Sequence, residues 1–365
     1  MNNTEQNDIE TLRQLVAFKS ETGHIAETNA ALQYISERLT KSGMHLTHVE
    51  NDGYSSLVAT TSTTKTPAIM LVAHVDVVAA PEPLFTMTER DGKLYGRGVW
   101  DMKFAIASYL SVADALSANL ADYDFGIAIT SDEETRDLGV KHLLGEGFLP
   151  RVAILPDGSN DWHIESRAKG AMYFTITISG KTAHGSRPWL GDSASYKVVE
   201  FLHELRQHFV EQGINTRTLN ISALEAGEIH KHVNRIPDRA RIGLDIRVLD
   251  DSETTHIQHL LAEMCAKYDA VCERDVFFPA LVHDHDHPLV TQFTNSVEKV
   301  AGIKNEGFLS LGASDAGHFV ASGIPCIVTS PTGGDRHSDD EWIDKASFLH
   351  MTPILLDYLN KVARR

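Results

Sequence analysis

The sequence predicts an α/β protein: a three-layer domain with a mostly parallel central sheet, interrupted by a smaller α+β domain. In the first 170 residues, short apolar runs alternate with helical patterns, and several runs are apolar without a break. Such runs are typical of strands buried on both faces of a parallel sheet. After Gly170 the strands instead alternate apolar and polar residues, as in a sheet with one exposed face. At 365 residues the chain is also longer than a single core usually allows.

Helical spacing of apolar residues and continuous apolar runs predict the elements of the first part of the chain. The second helix is followed by Gly43, a common C-terminal stop. The helix after Asp101 is long and rich in alanine, which favours close packing against a sheet. The predicted helices are 8–15, 28–42, 102–120 and 138–144, and the predicted strands are 55–60, 68–73, 125–130 and 152–155.

The middle of the chain has the order strand, helix, strand, strand, helix, strand, which is that of a ferredoxin-like α+β domain. Its predicted strands are 171–179, 220–224, 241–248 and 271–277, and its predicted helices are 193–209 and 251–267.

The last part of the chain returns to the first pattern. Residues 283–287, with prolines nearby, predict a linker, which is followed by a helix 288–301, a strand 326–329 and a closing helix 345–364. We therefore predict a catalytic metal-binding domain from residues 1–170 and 284–365, with residues 171–283 as an inserted domain.

Composition excludes several classes of protein. The net charge of −17 argues against nucleic acid or an anionic membrane as a partner. The three cysteines are odd in number and form no zinc-type pairs, so neither a disulfide framework nor a cysteine metal site is indicated. The polar N-terminus is no signal peptide, and we expect no apolar run long enough to span a bilayer. These features favour a cytoplasmic protein.

Histidines and acidic residues follow successive predicted strands. Residues two apart on a strand share a face, and ligand sites in open parallel sheets form beyond the carboxyl ends of the strands. Nitrogen and oxygen ligands without cysteine suit Zn²⁺, Mn²⁺ or Co²⁺. Five such ligands are too many for one open tetrahedral zinc site, but two metals that share a carboxylate would use them all. The five candidate ligands are His74, Asp101, Glu134, Asp157 and His337.

These motifs resemble those of the M20 family of metallopeptidases. The family includes aminoacylases, carnosinase-like dipeptidases, acetylornithine deacetylase and succinyl-diaminopimelate desuccinylase. The resemblance runs from about residue 70 to 345. The matching motifs are His74-x-Asp76, Gly96-Arg97-Gly98 with Asp101-Met102-Lys103, Asp132-Glu133-Glu134, Asp157, the His184 segment and His337.

The resemblance implies two divalent cations bridged by Asp101, most readily Zn²⁺, with Co²⁺ or Mn²⁺ as alternatives. His74 and Asp157 would complete one metal site, and Glu134 and His337 the other. The family also tends to hold the peptide bond after its bridging aspartate in cis, so we predict a cis Asp101–Met102 bond.

Two further residues take roles from the same resemblance. Glu133 would be the general base that takes a proton from a metal-bound water, whose pKa zinc can lower to about 7. Asp76 would hold the His74 imidazole from behind.

The inserted domain is implied to be a lid and a dimerisation domain. Its His184 resembles the family histidine that stabilises the oxyanion and, in dimeric relatives, reaches the partner's site. Asn234 and Arg247 lie in segments that resemble those gripping the substrate carboxylate, and Ser314 lies in a segment like a substrate-binding loop. A homodimer through the inserted domain is therefore expected, with a small molecule as substrate.

The predicted function is hydrolysis of an amide bond in a small dipeptide or N-acyl amino acid. Deacylases of the family usually have Glu where this chain has Asp157, and Asp resembles the aminopeptidase and dipeptidase branches. A first alternative is deacylation of the acetylornithine or succinyl-diaminopimelate type. A second alternative is a catalytically silent binding protein on the same fold.

Overall fold

A computed structural model describes residues 3–136, 138–158, 161–228, 231–282 and 287–365; residues 283–286 of the predicted linker lie outside this set. The helices are α1 Asn3–Ala17, α2 Ile25–Lys41, α3 Lys103–Leu116, α4 Leu138–Gly145, α5 Ala194–Gln207, α6 Asp251–Tyr268, α7 Pro288–Ala301, α8 Ala316–Ala321, α9 Lys345–Phe348 and α10 Met351–Val362. The strands are β1 His45–Asn51, β2 Tyr54–Thr60, β3 Ile69–His74, β4 Thr88–Arg90, β5 Lys93–Tyr95, β6 Phe125–Thr130, β7 Val152–Leu155, β8 Glu165–Ala168, β9 Gly170–Ser179, β10 Thr218–Ala226, β11 Arg239–Val248, β12 Ala270–Phe278, β13 Leu281–Val282, β14 Phe308–Ser310, β15 Cys326–Val328, β16 Gly333–Gly334 and β17 Trp342–Asp344.

The chain divides into two compact units. The first comprises Met1–Arg167, Val282–Ser310 and Ser314–Arg365, and the second comprises Ala168–Leu281 with Leu311–Ala313. The chain passes from the first unit to the second between Arg167 and Ala168, and it returns between Leu281 and Val282.

The first unit is built on a six-stranded sheet in the order β1-β2-β6-β3-β7-β15. β3 runs parallel to β6 and β7, and β15 runs parallel to β7, whereas β1 and β2 are antiparallel. β3, β6 and β7 are buried along their whole length. The prediction of a mostly parallel central sheet is confirmed.

Helices cover both faces of this sheet. Leu71 and Ile127 point into the large core that α1, α2, α3 and α10 share. Their neighbours Val72 and Ala128 are also buried but point to the opposite face, where α8 contacts β7 and β15. Alternate residues of one strand thus fill two cores, which explains why the strands are apolar throughout. The predicted three-layer arrangement is confirmed.

A small antiparallel sheet in the order β16-β17-β5-β4 joins distant parts of the first unit. β17 pairs with β5, Trp342 lying opposite Tyr95 and Asp344 opposite Lys93. This pairing places the segment between β16 and β17 next to the loop that follows β5. A further sheet has the order β13-β8-β14.

The second unit has one antiparallel sheet in the order β10-β11-β9-β12. Its elements follow the predicted order, β9-α5-β10-β11-α6-β12. Alternate residues of β9 and β11, such as Phe174 and Leu244, form a core with Phe201 of α5 and Leu261 of α6. Both helices therefore pack on the same face of the sheet, as in a ferredoxin-like unit.

Two predictions about the helices need correction. The closing helix, predicted as one element, is divided into α9 and α10, because Pro353 has no N–H and is tolerated only in the first turn of a helix. The residues Lys103–Asp122 are, by length and composition, apolar enough to cross a membrane, contrary to the expectation that no run reaches that length. In the structure 67% of an 18-residue window of this stretch is buried, as in a core helix.

Candidate metal centre

Three neighbouring strands of the first unit end at one edge of the sheet and place candidate ligands there. β3 lies between β6 and β7 and is parallel to both. His74 is the last residue of β3, Glu133 and Glu134 come soon after β6, and Asp157 comes soon after β7. The strands are buried until they reach this edge, so the polar side chains gather where the chain leaves the core.

Asp101 lies between two imidazoles. Its Oδ1 is 3.2 Å from Nε2 of His74, and its Oδ2 is 3.0 Å from Nε2 of His337. Burial alone would raise the pKa of Asp101, but Arg336 and the two imidazoles hold it well below its ordinary value. A carboxylate that turns one oxygen toward each imidazole has the geometry to bridge two cations. The predicted cis Asp101–Met102 bond is also present.

His337 also contacts Glu134, the Nε2 atom lying 3.0 Å from Oε2. Its hydrogen bonds with Asp101 and Glu134 raise the pKa of His337 to about 10. The residue has φ of 62°, which is unusual for a residue other than glycine. Backbone of this kind clusters at functional sites, where the surrounding structure maintains it.

The tautomer of His74 is set by Asp76. Nδ1 of His74 lies 3.0 Å from the backbone carbonyl oxygen of Asp76, which can only accept a hydrogen bond. The proton therefore resides on Nδ1, and Nε2 faces Asp101 as the atom that can hold a cation. The carboxylate Oδ1 of Asp76 is farther from the same nitrogen, at 3.5 Å.

The Asp76 carboxylate mainly organises the loop after β6. It accepts hydrogen bonds from the backbone N–H groups of Glu133 at 3.3 Å and Glu134 at 3.2 Å, and from Oγ1 of Thr22 at 2.7 Å. Asp76 is fully buried. Asp76 thus supports the centre twice, through its carbonyl on His74 and through its carboxylate on this loop.

Glu133 lies beside the His74 imidazole and Asp157. Its Oε2 is 3.9 Å from Nε2 of His74. Burial and the nearby Asp157 raise the pKa of Glu133 well above its ordinary value. Burial also raises the pKa values of Glu134 and Asp157. These acids resist ionisation because they are buried close to one another, and bound cations would stabilise their ionised forms.

In the part of the chain that the structure describes, two sets of residues could each hold a metal ion. Within each set, the candidate ligand atoms all lie within 4.8 Å of one another. One set is His74, Glu133 and Asp157, and the other is His74, Asp101 and Glu134. His337 joins the second set through its two 3.0 Å contacts. The five predicted metal ligands therefore lie close together. A carboxylate oxygen of Glu133 is also near enough to be a metal ligand, in addition to its predicted role as a base.

Arg336 was not indicated by the sequence. Its Nη1 donates to Oδ1 of Asp157 at 2.9 Å, and its Nε lies 3.3 Å from Oδ2 of Asp101. The guanidinium packs against the ring of Trp100, 4.9 Å from the ring centroid. The sequence shows a basic residue next to His337, but it does not indicate that the Arg336 side chain points toward Asp101 and Asp157.

Glu341 was also missed, and it holds the loop that carries Asp101. Its carboxylate accepts hydrogen bonds from Nη1 of Arg97 at 2.8 Å and from the N–H groups of Gly98, Trp100 and Asp101 at 2.9, 2.9 and 3.1 Å. Arg97 and Glu341 are each 2% exposed. The acidic run Ser338-Asp339-Asp340-Glu341 gave no signal for which acid would be buried.

Two predicted site residues lie together in the second unit. The N–H of Gly185 donates to the carbonyl of Asn234 at 2.5 Å, so the His184 and Asn234 segments are adjacent. Nδ1 of His184 lies 2.8 Å from Oγ of Ser186, and the side chain is exposed. The other imidazole nitrogen is therefore the one that could contact a ligand.

The remaining two predicted substrate residues have partners of their own. In the second unit, Arg247 binds Asp245 through Nε at 2.7 Å and Nη2 at 3.2 Å, and Nη2 also donates to the hydroxyl of Tyr173 at 3.0 Å. In the first unit, Ser314 is buried, and its Oγ accepts from the N–H of Ala316 at 3.4 Å.

The chain matches Peptidase family M20/M25/M40 over residues 70–361. This match extends across most of the chain and includes every candidate ligand. The chain belongs to the M20 family.

Curated M20 relatives match over nearly their whole length. A probable succinyl-diaminopimelate desuccinylase from Staphylococcus epidermidis is 25% identical, with 98% of this chain and 99% of the relative covered. A succinyl-diaminopimelate desuccinylase from Rickettsia bellii is 26% identical, with 95% of each chain covered.

Solved M20 structures share the fold. A tripeptidase from Staphylococcus aureus superposes with a TM-score of 0.80 at 23% identity, covering 98% of each chain. An M20 metallo-carboxypeptidase from Sulfolobus solfataricus has a TM-score of 0.80 at 15% identity, covering 98% of this chain and 99% of the other. The predicted α/β fold class is therefore confirmed.

The donor set of this M20 protein fits divalent cations. Imidazole nitrogens and carboxylate oxygens are the ligands that such ions take when thiolates are not involved. The crowded buried acids supply the negative charge that the ions would neutralise.

Proposed function

We propose that the protein is a dinuclear metal-dependent hydrolase that cleaves an amide bond in a small dipeptide or N-acyl amino acid. One observation carries the proposal: the two oxygens of Asp101 face the two imidazoles His74 and His337, with Glu133 beside His74. A catalytically silent metal-binding protein would need the ligands but not the general base Glu133.

Each proposed ligand has a place in this arrangement. Asp101 would bridge two cations, His74 and Asp157 completing one position and Glu134 and His337 the other. Bound there, a pair of Zn²⁺ ions polarises the amide carbonyl and acidifies a water molecule. Co²⁺ or Mn²⁺ would serve the same donor set.

Glu133 would move the protons of the reaction. Its carboxylate takes a proton from the attacking water and delivers it to the nitrogen of the leaving amine. Its place beside His74, one of the proposed ligands, puts this carboxylate within reach of a water bound at the centre.

The second unit would contribute to substrate binding. We assign His184 to stabilisation of the oxyanion through its Nε2, Asn234 and Arg247 to the substrate carboxylate, and Ser314 to a substrate-binding loop. Arg247 suits this role only if the substrate competes with Asp245 for its guanidinium.

We propose a peptide with a free amino end as the substrate, because Asp157 stands where the family's deacylases usually have Glu. Deacylation of a succinylated amino acid is the second candidate, and it is favoured by the names of the relatives at 25–26% identity. A screen of dipeptides and tripeptides against N-acetyl and N-succinyl amino acids distinguishes the two. Higher kcat/KM on the N-acyl substrates would reject the peptidase assignment.

The inserted domain would also join two copies of the chain. Around the start of α5 lie large apolar side chains that are mostly exposed: Trp189 at 76%, Tyr196 at 72% and Val199 at 66%. Large exposed apolar patches mark interaction surfaces. The mass of the native protein in solution tests this, because a monomer at micromolar concentration would contradict it.

The catalytic assignment is tested by Glu133→Gln, which keeps the shape of the side chain and removes its basicity. We expect bound metal to be unchanged and kcat to fall by about 10²–10⁴-fold. The matched control is Glu82→Gln, since Glu82 is an exposed glutamate paired with Lys19, and it should keep full activity. Turnover that survives Glu133→Gln would contradict the base assignment.

A further inference from the structure

Arg336 places a permanent positive charge among the proposed metal ligands. Its Nη1 donates to Oδ1 of Asp157 at 2.9 Å, while its Nε lies 3.3 Å from Oδ2 of Asp101. A guanidinium does not lose its proton in proteins, so this charge cannot be removed by a change of pH. Only movement of the side chain can take it away from the two carboxylates.

The guanidinium is incompletely satisfied where it lies. Nε and Nη2 are buried and have no hydrogen-bond acceptor in the part of the chain that the structure describes. The ring of Trp100 covers the guanidinium, yet the side chain as a whole remains 29% exposed. The arginine side chain is therefore partly open to solvent, and its movement away from the centre would break one hydrogen bond to a carboxylate, the one to Asp157.

The charge acts unequally on the two proposed metal positions. Asp101 would serve both positions, so its contact with Arg336 affects them alike. Asp157 would serve only the position that it completes with His74, and it receives the direct hydrogen bond. A cation at that position must compete with the guanidinium for Asp157, and like charges repel at such distances.

We propose that Arg336 is a built-in counter-cation that makes the Asp157–His74 position the weaker of the two metal positions. The position completed by Glu134 and His337 then fills first, and the second ion binds only as Arg336 moves aside. This inference rests on the proposed dinuclear function and concerns only how the two ions differ in affinity.

The test is a calorimetric titration of the metal-free protein with Zn²⁺ or Co²⁺, which requires no turnover. In the parent protein we expect two binding steps of unequal affinity. Arg336→Gln and Arg336→Met remove the charge and should tighten the weaker step at least tenfold. Arg336→Lys keeps a charge and should preserve most of the difference between the steps. Arg90→Gln, at an exposed arginine of β4, is the control for a general change of net charge.

The outcomes separate this inference from the proposed function. Suppose that both neutral variants still bind two ions, but that the affinity of their weaker binding step is no higher than in the parent protein. That result would overturn the role of Arg336 and leave the dinuclear centre intact. Failure of every variant and of the parent to bind any ion would reject both proposals. Thermal melting of each metal-free variant verifies the fold, and having two neutral variants keeps the test open if one does not fold.

Discussion

At the scale of single residues, the candidate centre depends on which atom of each side chain faces inward. The carbonyl oxygen of Asp76 keeps the proton of His74 on Nδ1. The carboxylate of Asp76 accepts a hydrogen bond from the backbone N–H of Glu134 and so holds that loop. The identity of the residue was predictable from the resemblance to the M20 family, which includes the His74-x-Asp76 motif. The separate contacts of its carbonyl and its carboxylate were not predictable, because they depend on the geometry of the loop.

Asp8 is a buried acid outside the centre that has a consequence for stability. It is 1% exposed, Oδ2 accepts from Oγ1 of Thr352 at 2.9 Å, and Oδ1 has no hydrogen-bond partner among the described residues. Burial raises the pKa of Asp8 from 3.8 to about 6. The folded state therefore favours the protonated form more than the unfolded state does.

We predict that Asp8 costs stability above about pH 6. The stabilisation of the protonated form is complete below pH 4 and is lost as the pH rises through 6, a loss of about 3 kcal/mol at 1.36 kcal/mol per pKa unit. Asp8→Asn should therefore raise the free energy of unfolding at pH 8 and flatten its dependence on pH. Urea denaturation at pH 5 and pH 8 measures both. A variant less stable than the parent at pH 8 would show that the charge is compensated.

At the scale of elements, the buried strands were the best predicted parts of the chain. β6 and β7 begin and end at the predicted residues, because a strand buried on both faces is apolar throughout and stops where it becomes polar. β1 was missed, since it is a largely exposed edge strand without a clear apolar pattern. The short strands β5 and β17 were missed because their pairing joins residues about 250 positions apart, which no local pattern reports.

Glu341 is the clearest case of an element held by a residue from elsewhere in the chain. It receives the Arg97 side chain and three backbone N–H groups of the loop that ends at Asp101. Removing one partner of a buried ion pair leaves the other charge uncompensated, which typically costs about 3–5 kcal/mol.

We predict that Glu341→Gln lowers the free energy of unfolding by about 3–5 kcal/mol and weakens metal binding through the displaced Asp101. The matched control is Glu89→Gln, which breaks the more exposed pair with Lys345 and should cost less than about 1 kcal/mol. Urea denaturation and metal titration of both variants make the comparison. Equal losses of stability in the two variants would mean that the buried pair does not hold this loop.

At the scale of the whole molecule, the centre collects residues that are far apart in the chain. Asp101 and His337 are 236 positions apart, yet their side chains lie 3.0 Å from each other. Resemblance to a family indicated which residues these would be, whereas composition and periodicity alone indicated only a sheet edge rich in acids. Arg336 and Glu341 show the limit of that reasoning, because their neighbours are set by tertiary structure.

The measurement that tests the central claim most directly is the metal content of the purified protein, together with its activity before and after removal of metal. We predict two divalent ions per chain at saturating Zn²⁺, by elemental analysis, with hydrolysis abolished by a chelator and restored by adding the metal back. Hydrolysis that persists in chelated protein, or a chain that retains no divalent ion, would contradict a centre built on Asp101.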